Sequence, residues 1–336
     1  MGERTIKLGH GSGGILSRQL IEGKILSYFR SPLLSSLPDS ATLTVHGGPI
    51  AFTTDSYVVD PIFFPGGDIG KLAVFGTVND LAVCGVIPHF ISCALILEEG
   101  FPEADLNTIL ASMQEAADAA QVEVVTGDTK VVPRGKADKI FINTSGIGIM
   151  RRGAKLPDAE MRVGDVVIVS GPLGDHGAAV LSRREGLNLE SSVLSDCAPV
   201  TAIAQTILGR AGRVSLMRDV TRGGLATILN EAVSGAEVGI VLTEEDIPIR
   251  PEVRSLCELL GLDPIYLACE GRVAAVVDAA NAEGALDAVR RVPGGEGCCM
   301  VGTVSDDYPG QVAGQTSFGT HRLIQMLSGE QLPRIC

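Results

Sequence analysis

Four aspartates of this chain stand where side chains can converge on a ligand, at strand ends or at helical turns. They are Asp55, Asp80, Asp128 and Asp219. Ligands of α/β folds bind outside the carboxyl ends of strands, and Asp55 and Asp128 are predicted at such ends. Clustered carboxylates resist ionisation unless a cation joins them. Magnesium favours a few carboxylates completed by phosphate oxygens. We therefore expect a magnesium–nucleotide site, with all four aspartates as metal ligands and Asp55 and Asp80 also as nucleotide contacts.

A glycine-rich segment, Gly9-His10-Gly11-Ser12-Gly13-Gly14, is the candidate phosphate loop. Its glycines let the backbone approach an anion closely. The helix predicted from Ile15 would add its positive N-terminus. Such a loop can also simply turn the chain, and His10 could contact phosphate or the C-terminal segment. The candidate nucleotide contacts of this loop are Gly11, Ser12, Gly13 and Gly14.

The last residue, Cys336, carries a thiol in an unusual place. Chain ends are usually exposed and mobile, and most proteins avoid an exposed free thiol. We interpret residues 329–336 as a flexible arm that carries a chemical group to a site on the body. These eight residues would span at most about 26–29 Å when fully extended.

Residue patterns place the aspartates on an α/β framework. Residues 42–45 and 50–55 alternate as strands, and 68–85 read as one helix with Asn79-Asp80 inside its apolar run. A buried aspartate needs a partner, so a cap or a core hydrogen bond is the structural alternative for Asp80. A further strand is predicted at 140–149. Three more candidate nucleotide contacts are Thr129, Asn143 and Gly146.

The second half shows a similar order of strands and helices. Glu270 precedes a predicted strand at 272–277, and further strands are expected near 299–304 and 316–319. The predicted organisation has four parts. They are a glycine-rich segment 1–40, an ATP-binding domain 41–157, a C-terminal domain 158–328 and the flexible tail 329–336.

Composition limits the classes of partner. The chain has 336 residues and a formal net charge of −13, and no Lys/Arg run supplies the basic face that nucleic-acid binding requires, so we expect no nucleic-acid partner. No apolar run reaches the roughly 20 residues of a membrane span. The N-terminal residues do not resemble a secretory signal, so we expect a cytoplasmic protein. Eight cysteines without C-x-x-C spacing indicate small buried side chains rather than a zinc site.

Six motifs together resemble the HypE family of carbamoyl dehydratases, which acts in [NiFe]-hydrogenase maturation. The internal motifs indicate only the superfamily, which includes aminoimidazole ribonucleotide synthetase, selenophosphate synthetase and thiamine monophosphate kinase. The terminal Pro-Arg-Ile-Cys indicates the member, and the resemblance covers essentially the whole chain. The motifs are Gly9-His10-Gly11-Ser12-Gly13-Gly14, Thr54-Asp55, Asn79-Asp80-Leu81, Gly127-Asp128-Thr129, Arg218-Asp219-Val220-Thr221-Arg222-Gly223-Gly224-Leu225 and Pro333-Arg334-Ile335-Cys336.

The resemblance implies two α/β domains of the PurM (AIR-synthetase-like) fold with mixed sheets, and a homodimer formed through N-terminal-domain strands. It implies that a HypF-type carbamoyltransferase loads Cys336 and that ATP, with Mg²⁺, drives dehydration to a thiocyanate. The cyanide would then pass to iron held by a HypC–HypD complex.

Two further residues have candidate catalytic roles in such a reaction. Lys130 could reach phosphate or the carbamoyl oxygen, and Glu270 could accept a proton from the carbamoyl nitrogen. A solvated loop lysine and a surface salt bridge are the respective alternatives. We assign His46, His89, His176 and His321 to structural roles.

Two other functions remain open from the sequence. A kinase or selenophosphate synthetase of the same superfamily is one, although a kinase would not need Cys336, and selenophosphate synthetases carry a reactive residue near the glycine loop. The other is an assembly scaffold with a structural nucleotide site, which would bind ATP without turning it over.

Overall fold

The computed structural model describes residues 14–20, 22, 41–45, 48–150, 156–157, 160–184, 192–329, 332 and 334–336. They form two α/β units, each with one large mixed sheet. This agrees with the predicted two-part α/β architecture.

The first unit is a five-stranded mixed sheet with two long helices packed on one face. Its elements, with a short preceding helix, are α1 (Gly14–Leu20), β1 (Ala41–Val45), β2 (Gly48–Tyr57), β3 (Phe63–Phe64), β4 (Gly67–Asp68), α2 (Ile69–Val83), β5 (Ile87–Glu98), α3 (Glu103–Ala120), β6 (Glu123–Val132) and β7 (Ile140–Ile149). The sheet order is β1-β2-β7-β5-β6, in which only β5 and β6 pair in parallel. A small β3–β4 hairpin leads into α2.

Helix α2 is the central element of the first unit. Asp68 caps it, because its Oδ1 accepts the N–H groups of Gly70 and Lys71 at 2.8 and 2.9 Å. Nearly all of its residues are buried, since the sheet covers one side and α3 and the second unit cover the others. Polar side chains on this helix therefore need partners in the core.

The second unit is a seven-stranded mixed sheet with helices on both faces. Its elements are β8 (Val166–Val169), α4 (Asp175–Ser182), α5 (Thr201–Arg210), β9 (Val214–Asp219), α6 (Gly224–Val233), β10 (Gly239–Thr243), α7 (Pro251–Leu260), β11 (Val273–Val277), α8 (Ala282–Val289), β12 (Cys299–Ser305), β13 (Val312–Gln315) and β14 (His321–Ile324). The order is β14-β13-β10-β12-β8-β11-β9. Strand β11 is buried at every position, which explains its unbroken apolar sequence.

Asn79 of α2 joins the two units. Its Nδ2 donates to the carbonyls of Ala198 and Glu270 at 3.0 and 3.2 Å, and its Oδ1 accepts the Val200 N–H at 2.9 Å. One buried amide thus fixes α2 against the segments that carry Glu270 and lead into α5.

Two local predictions were wrong. Residues 316–319 form the turn between β13 and β14, because the Thr316 N–H donates to the Thr320 carbonyl and closes the hairpin. Asp128 lies inside β6, opposite Ala94, since parallel pairing with β5 continues to Val132. Of the helices in the described ranges, none has both the length and the apolar character to cross a bilayer.

Candidate active site

Three of the four predicted metal ligands lie together where the two units meet. Asp55 is on β2, Asp80 is near the end of α2, and Asp219 is the last residue of β9. The Asp55 and Asp80 carboxyl groups are within hydrogen-bonding reach, and Asp219 interacts electrostatically with both. We call Asp55, Asp80 and Asp219 the acid cluster. Within the described part of the chain, no three His, Cys, Asp or Glu side chains enclose a metal position unaided.

Threonine hydroxyl groups contact two carboxyl groups of the acid cluster. The Thr53 Oγ1 donates to Asp80 Oδ2 at 2.9 Å, and the Thr77 Oγ1 lies 3.4 Å from Asp55 Oδ2. Thr77 also contacts the Thr144 hydroxyl at 2.6 Å. These contacts orient the carboxylates from β2, β7 and α2 without adding any positive charge.

Burial and mutual repulsion disfavour negative charge in the acid cluster. Burial, and then the charges of Asp219 and Asp55, raise the pKa of Asp80 well above its usual value. Burial also raises the pKa of Asp219 to about 6. Carboxyl groups held in this state are stabilised by an added cation.

Glu270 lies beside the acid cluster and is 3% exposed. Its N–H donates to Asp196 Oδ1 at 3.0 Å, while its carbonyl accepts the Asn79 amide. The buried Oε1 of Glu270 has no hydrogen-bond partner among the described residues. Burial, then Asp219 and Asp196, raise the pKa of Glu270 well above its usual value. An unpaired buried carboxyl oxygen is costly, which is consistent with a group that awaits a ligand.

The C-terminal segment docks beside the acid cluster by backbone pairing. The Val58 N–H donates to a terminal oxygen of Cys336 at 3.2 Å, and the Asp60 N–H donates to the Arg334 carbonyl at 3.1 Å. Ile335 is 5% exposed and packs into the core of the first unit. The tail therefore lies along residues 58–60, which follow β2, and two backbone hydrogen bonds hold it there.

Arg334 anchors the docked tail. Its Nε donates to the Val58 carbonyl at 2.7 Å, and its guanidinium pairs with Asp138 and lies 6.0 Å from the Phe141 ring centroid. The hydrogen bond from Arg334 lowers the pKa of Asp138. Arg334 has φ of 51°, a conformation that non-glycine residues adopt only when their surroundings hold them there.

The Cys336 thiol is not freely exposed as a chain terminus was expected to be, because the tail contacts above leave it only partly accessible. Burial raises the pKa of the Cys336 thiol to about 12. Arg222 acts in the opposite direction, while Glu270 and Asp55 raise the pKa further. The docked sulfur is therefore a protonated thiol at neutral pH and a poor nucleophile.

Tail docking should weaken as the pH rises above 9. The docked thiol has a pKa of about 12 against a usual 9.0, so deprotonation favours the released tail. Docking is strongest below pH 9. Between pH 9 and pH 12 the equilibrium constant for docking should fall by about tenfold per pH unit. The measurement is the hydrogen-exchange protection of the Val58 and Asp60 amides. Cys336→Ser should remove this pH dependence, and an equal slope in both proteins would contradict the assignment.

Two predicted residues lie outside the buried cluster. Asp128 and Lys130 form an ion pair of 2.8 Å on β6, and their side chains are 60% and 68% exposed. Strand β6 is the edge of its sheet. Within one chain the structure thus separates Lys130 from the buried Glu270. Thr129 lies between them on the same strand.

The candidate nucleotide contacts fall in different places. The Asn143 Nδ2 donates to the Asp55 carbonyl at 2.7 Å, at the edge of the acid cluster. Gly146 faces α2, because an added Cβ would lie 2.8 Å from the Thr77 methyl carbon. Gly14 begins α1 with φ of 74° and packs against the Leu327 carbonyl. His10, Gly11, Ser12 and Gly13 lie outside the described residues.

Two site residues had been given no role by the sequence. Arg222 interacts electrostatically with Cys336, Asp55 and Glu270, and the first of these raises the pKa of its guanidinium most. Asp196 holds the backbone of Glu270. Arg222 could have been inferred from its place after Asp219 in Arg-Asp-Val-Thr-Arg, since a buried acidic cluster needs a nearby cation. Asp196 has no comparable local signal.

Comparisons with known proteins show the family of the chain. Residues 38–150 match the N-terminal domain of AIR synthase related proteins, and residues 162–314 match the C-terminal domain. The chain is 49% identical to a carbamoyl dehydratase HypE of Rhodobacter capsulatus, with 99% of each chain covered.

Two solved structures share the fold. A HypE in complex with ATP is 47% identical, with a TM-score of 0.81, 99% of this chain and 100% of that one being covered. A HypE–HypF complex contains a chain that is 42% identical, with a TM-score of 0.86, 92% of this chain and 99% of that one being covered. The chain therefore belongs to the HypE family of carbamoyl dehydratases.

Proposed function

We propose that this protein uses ATP to dehydrate a carbamoyl group on Cys336 to a thiocyanate. The observation that carries the proposal is the docked tail. It places the Cys336 sulfur within electrostatic reach of Glu270, Arg222 and the acid cluster. A group attached to this sulfur would therefore lie among residues able to bind phosphate and move protons.

The acid cluster fits a magnesium ion that arrives with a nucleotide. Its carboxyl groups repel one another, and magnesium needs only one or two protein carboxylates when phosphate oxygens and water complete its shell. Asp55, Asp80 and Asp219 would hold it, and the bound ion would neutralise charge on the transferred phosphate. The ATP complex of a relative supports ATP as the nucleotide. The loop at 11–14 would contact its phosphates.

The reaction needs a better leaving group than an amide oxygen. The carbamoyl oxygen attacks the γ-phosphorus of ATP. The bond between this phosphorus and the ADP oxygen breaks, and an O-phosphorylated intermediate forms. The nitrogen then loses its protons, the carbon–oxygen bond breaks toward phosphate, and the C≡N triple bond remains on sulfur. Atoms balance as carbamoyl thioester plus ATP giving thiocyanate, ADP and phosphate.

Glu270 is the base that this chain offers for the nitrogen protons. Its Oε1 is buried without a hydrogen-bond partner among the described residues, and burial raises its pKa above the usual value, which increases its affinity for a proton. Arg222 offsets negative charge beside it. Lys130 remains a candidate for phosphate or for the carbamoyl oxygen.

The open face of the first sheet supports a homodimer. Helices α2 and α3 cover the other face, whereas apolar side chains across the strands remain exposed, which is typical of an interface. They are Phe52, Phe90, Ile96 and Ile149. A dimer through this face would also bring β6, with Asp128 and Lys130, to the interface. Sedimentation equilibrium should give twice the chain mass, and a monomer would contradict the proposal.

A HypF-type carbamoyltransferase is the proposed donor of the carbamoyl group, supported by the complex that a relative forms with HypF. A HypC–HypD complex that carries iron is the proposed acceptor of cyanide. We propose that the protein acts in the cytoplasm, where it would meet these partners.

The function is tested by the mass of the C-terminal peptide. After incubation with the carbamoyltransferase and its substrates, the Cys336 peptide should gain one carbamoyl group. On addition of Mg–ATP it should then lose one water. A chain that ends at Ile335 should show neither change. A carbamoyl group that persists with Mg–ATP present would overturn the proposal.

A further inference from the structure

We propose that His176 is a positioning residue that latches the C-terminal tail in its docked state. Its Nε2 lies 2.7 Å from the Ile335 carbonyl oxygen, and its ring is fully buried. The sequence had suggested only a structural role for this histidine. The proposal rests on the proposed function for its catalytic consequence, although the latch itself is defined by contacts alone.

The hydrogen-bond chain around His176 fixes which nitrogen carries the proton. The Cys197 N–H donates to Ser195 Oγ at 3.1 Å, so this hydroxyl is free to donate its own proton to His176 Nδ1 at 2.8 Å. The Ile335 carbonyl oxygen can only accept, so Nε2 carries the hydrogen and donates it, and Nδ1 accepts from Ser195. Phe64 contacts the imidazole edge-on at 5.2 Å between ring centroids. Ser195 and Phe64 therefore both restrict the orientation of the ring.

The two units clamp opposite sides of the tail. Successive carbonyls of an extended chain point in opposite directions. The Arg334 and Cys336 oxygens face the N–H groups of Asp60 and Val58 in the first unit. The intervening Ile335 carbonyl faces His176 on α4 of the second unit. His176 thus ties the tail to the unit that carries Glu270, as does Arg184, whose guanidinium donates to the Arg334 carbonyl at 3.1 Å.

The latch should act in opposite ways on the two stages of the proposed cycle. Dehydration requires the docked tail, because Glu270 lies inside the cleft. Loading by a separate protein requires the released tail, because docking leaves the sulfur only partly accessible and keeps it protonated. Loss of the latch should therefore slow dehydration without slowing loading, whereas general damage to the fold would slow both.

The test measures docking directly, through alkylation of the reduced Cys336 thiol by iodoacetamide at pH 8, read from the mass of the C-terminal peptide. His176→Leu, which cannot donate a hydrogen bond, should raise the rate by roughly tenfold, the factor for losing one buried hydrogen bond of typical net strength. His176→Gln keeps a side-chain donor and should return most of the protection. The alkylation rate of Cys336 in the urea-unfolded protein gives the maximum rate, which is expected when the tail is fully released.

Ser182→Ala is the matched control on the same helix. Ser182 is 5% exposed and donates to the Ala179 carbonyl at 2.8 Å, so its loss also removes one buried hydrogen bond, but not one to the tail. Alkylation in this variant should stay at the wild-type rate. Ser195→Ala keeps the His176 ring but removes the hydroxyl that donates to its Nδ1. It should give a smaller increase than His176→Leu and serves as the second variant if His176→Leu does not fold.

Wild-type rates in both folded His176→Leu and Ser195→Ala would overturn the latch. An increase in Ser182→Ala as large as that in His176→Leu would overturn it too, since the effect would then be general destabilisation. The alkylation assay needs neither ATP nor the carbamoyltransferase. A failure of the dehydratase function would therefore leave the docking result intact, and a failed latch would leave dehydration by the wild-type chain unaffected.

Discussion

Glu270→Gln should slow dehydration of the carbamoylated tail by about 10²- to 10⁴-fold, the usual contribution of a positioned general base, while ATP binding persists. The amide keeps the size of the side chain but cannot accept the nitrogen proton. The substitution leaves the backbone contacts of Glu270 to Asn79 and Asp196 in place. Single-turnover conversion of the C-terminal peptide, followed by mass, gives the rate.

Glu231→Gln is the control for this substitution. Glu231 lies on α6 and is more exposed than Glu270, although loss of solvent around its carboxyl group also raises its pKa. Its electrostatic partners are Arg218, Arg18 and Glu22 rather than the tail. Its replacement should change the rate little. A Glu270→Gln protein that dehydrates at the wild-type rate would remove Glu270 from the mechanism.

Asp55→Asn should weaken magnesium-dependent ATP binding by at least roughly tenfold to a hundredfold, a loss seen even for residues that merely support metal ligands. The same change should stabilise the protein without ligand. Asp55 raises the pKa of Asp80, Asp219 and Glu270, so its removal relieves repulsion among buried carboxyl groups. A gain of about 0.5–2 kcal/mol is expected, the usual size for a single stabilising substitution.

The two effects of Asp55→Asn are measured by calorimetric titration with Mg–ATP and by urea unfolding without ligand. Asp118→Asn removes one charge from an exposed position on α3 and should alter neither quantity. Unchanged affinity in Asp55→Asn would exclude Asp55 as a metal ligand. A large loss of stability would contradict the account of repulsion within the acid cluster.

The local parts of the fold could be predicted because their signals are local. The polar pair Asn79-Asp80 stands out inside the apolar run of α2, and both residues prove to contact other elements. The apolar run 273–277 marks a strand buried on both faces. Asp55, Asp80 and Asp219 could be predicted to lie together because each was expected at a strand end or a helical turn. A bound cation would explain several carboxylates at one place.

The docked tail could not be predicted from the sequence, because its contacts join residues far apart in the chain. His176 and the Ile335 carbonyl are separated by 159 positions, and neither residue type indicates the other. A general rule about chain ends suggested an exposed thiol, whereas Arg334 and Ile335 hold the terminus in place. Asp128 was misplaced because Thr126-Gly127 resembles a strand end but continues the parallel pairing of β6.

The most direct test of the central claim is phosphate release in a single turnover, because the account couples ATP cleavage to the group on Cys336. Carbamoylated protein mixed with Mg–ATP should release one phosphate for each thiocyanate formed, at the same rate. Uncarbamoylated protein, and protein carbamoylated in the Glu270→Gln background, should release almost none on that time scale. Equal phosphate release from carbamoylated and uncarbamoylated wild-type protein would contradict the account.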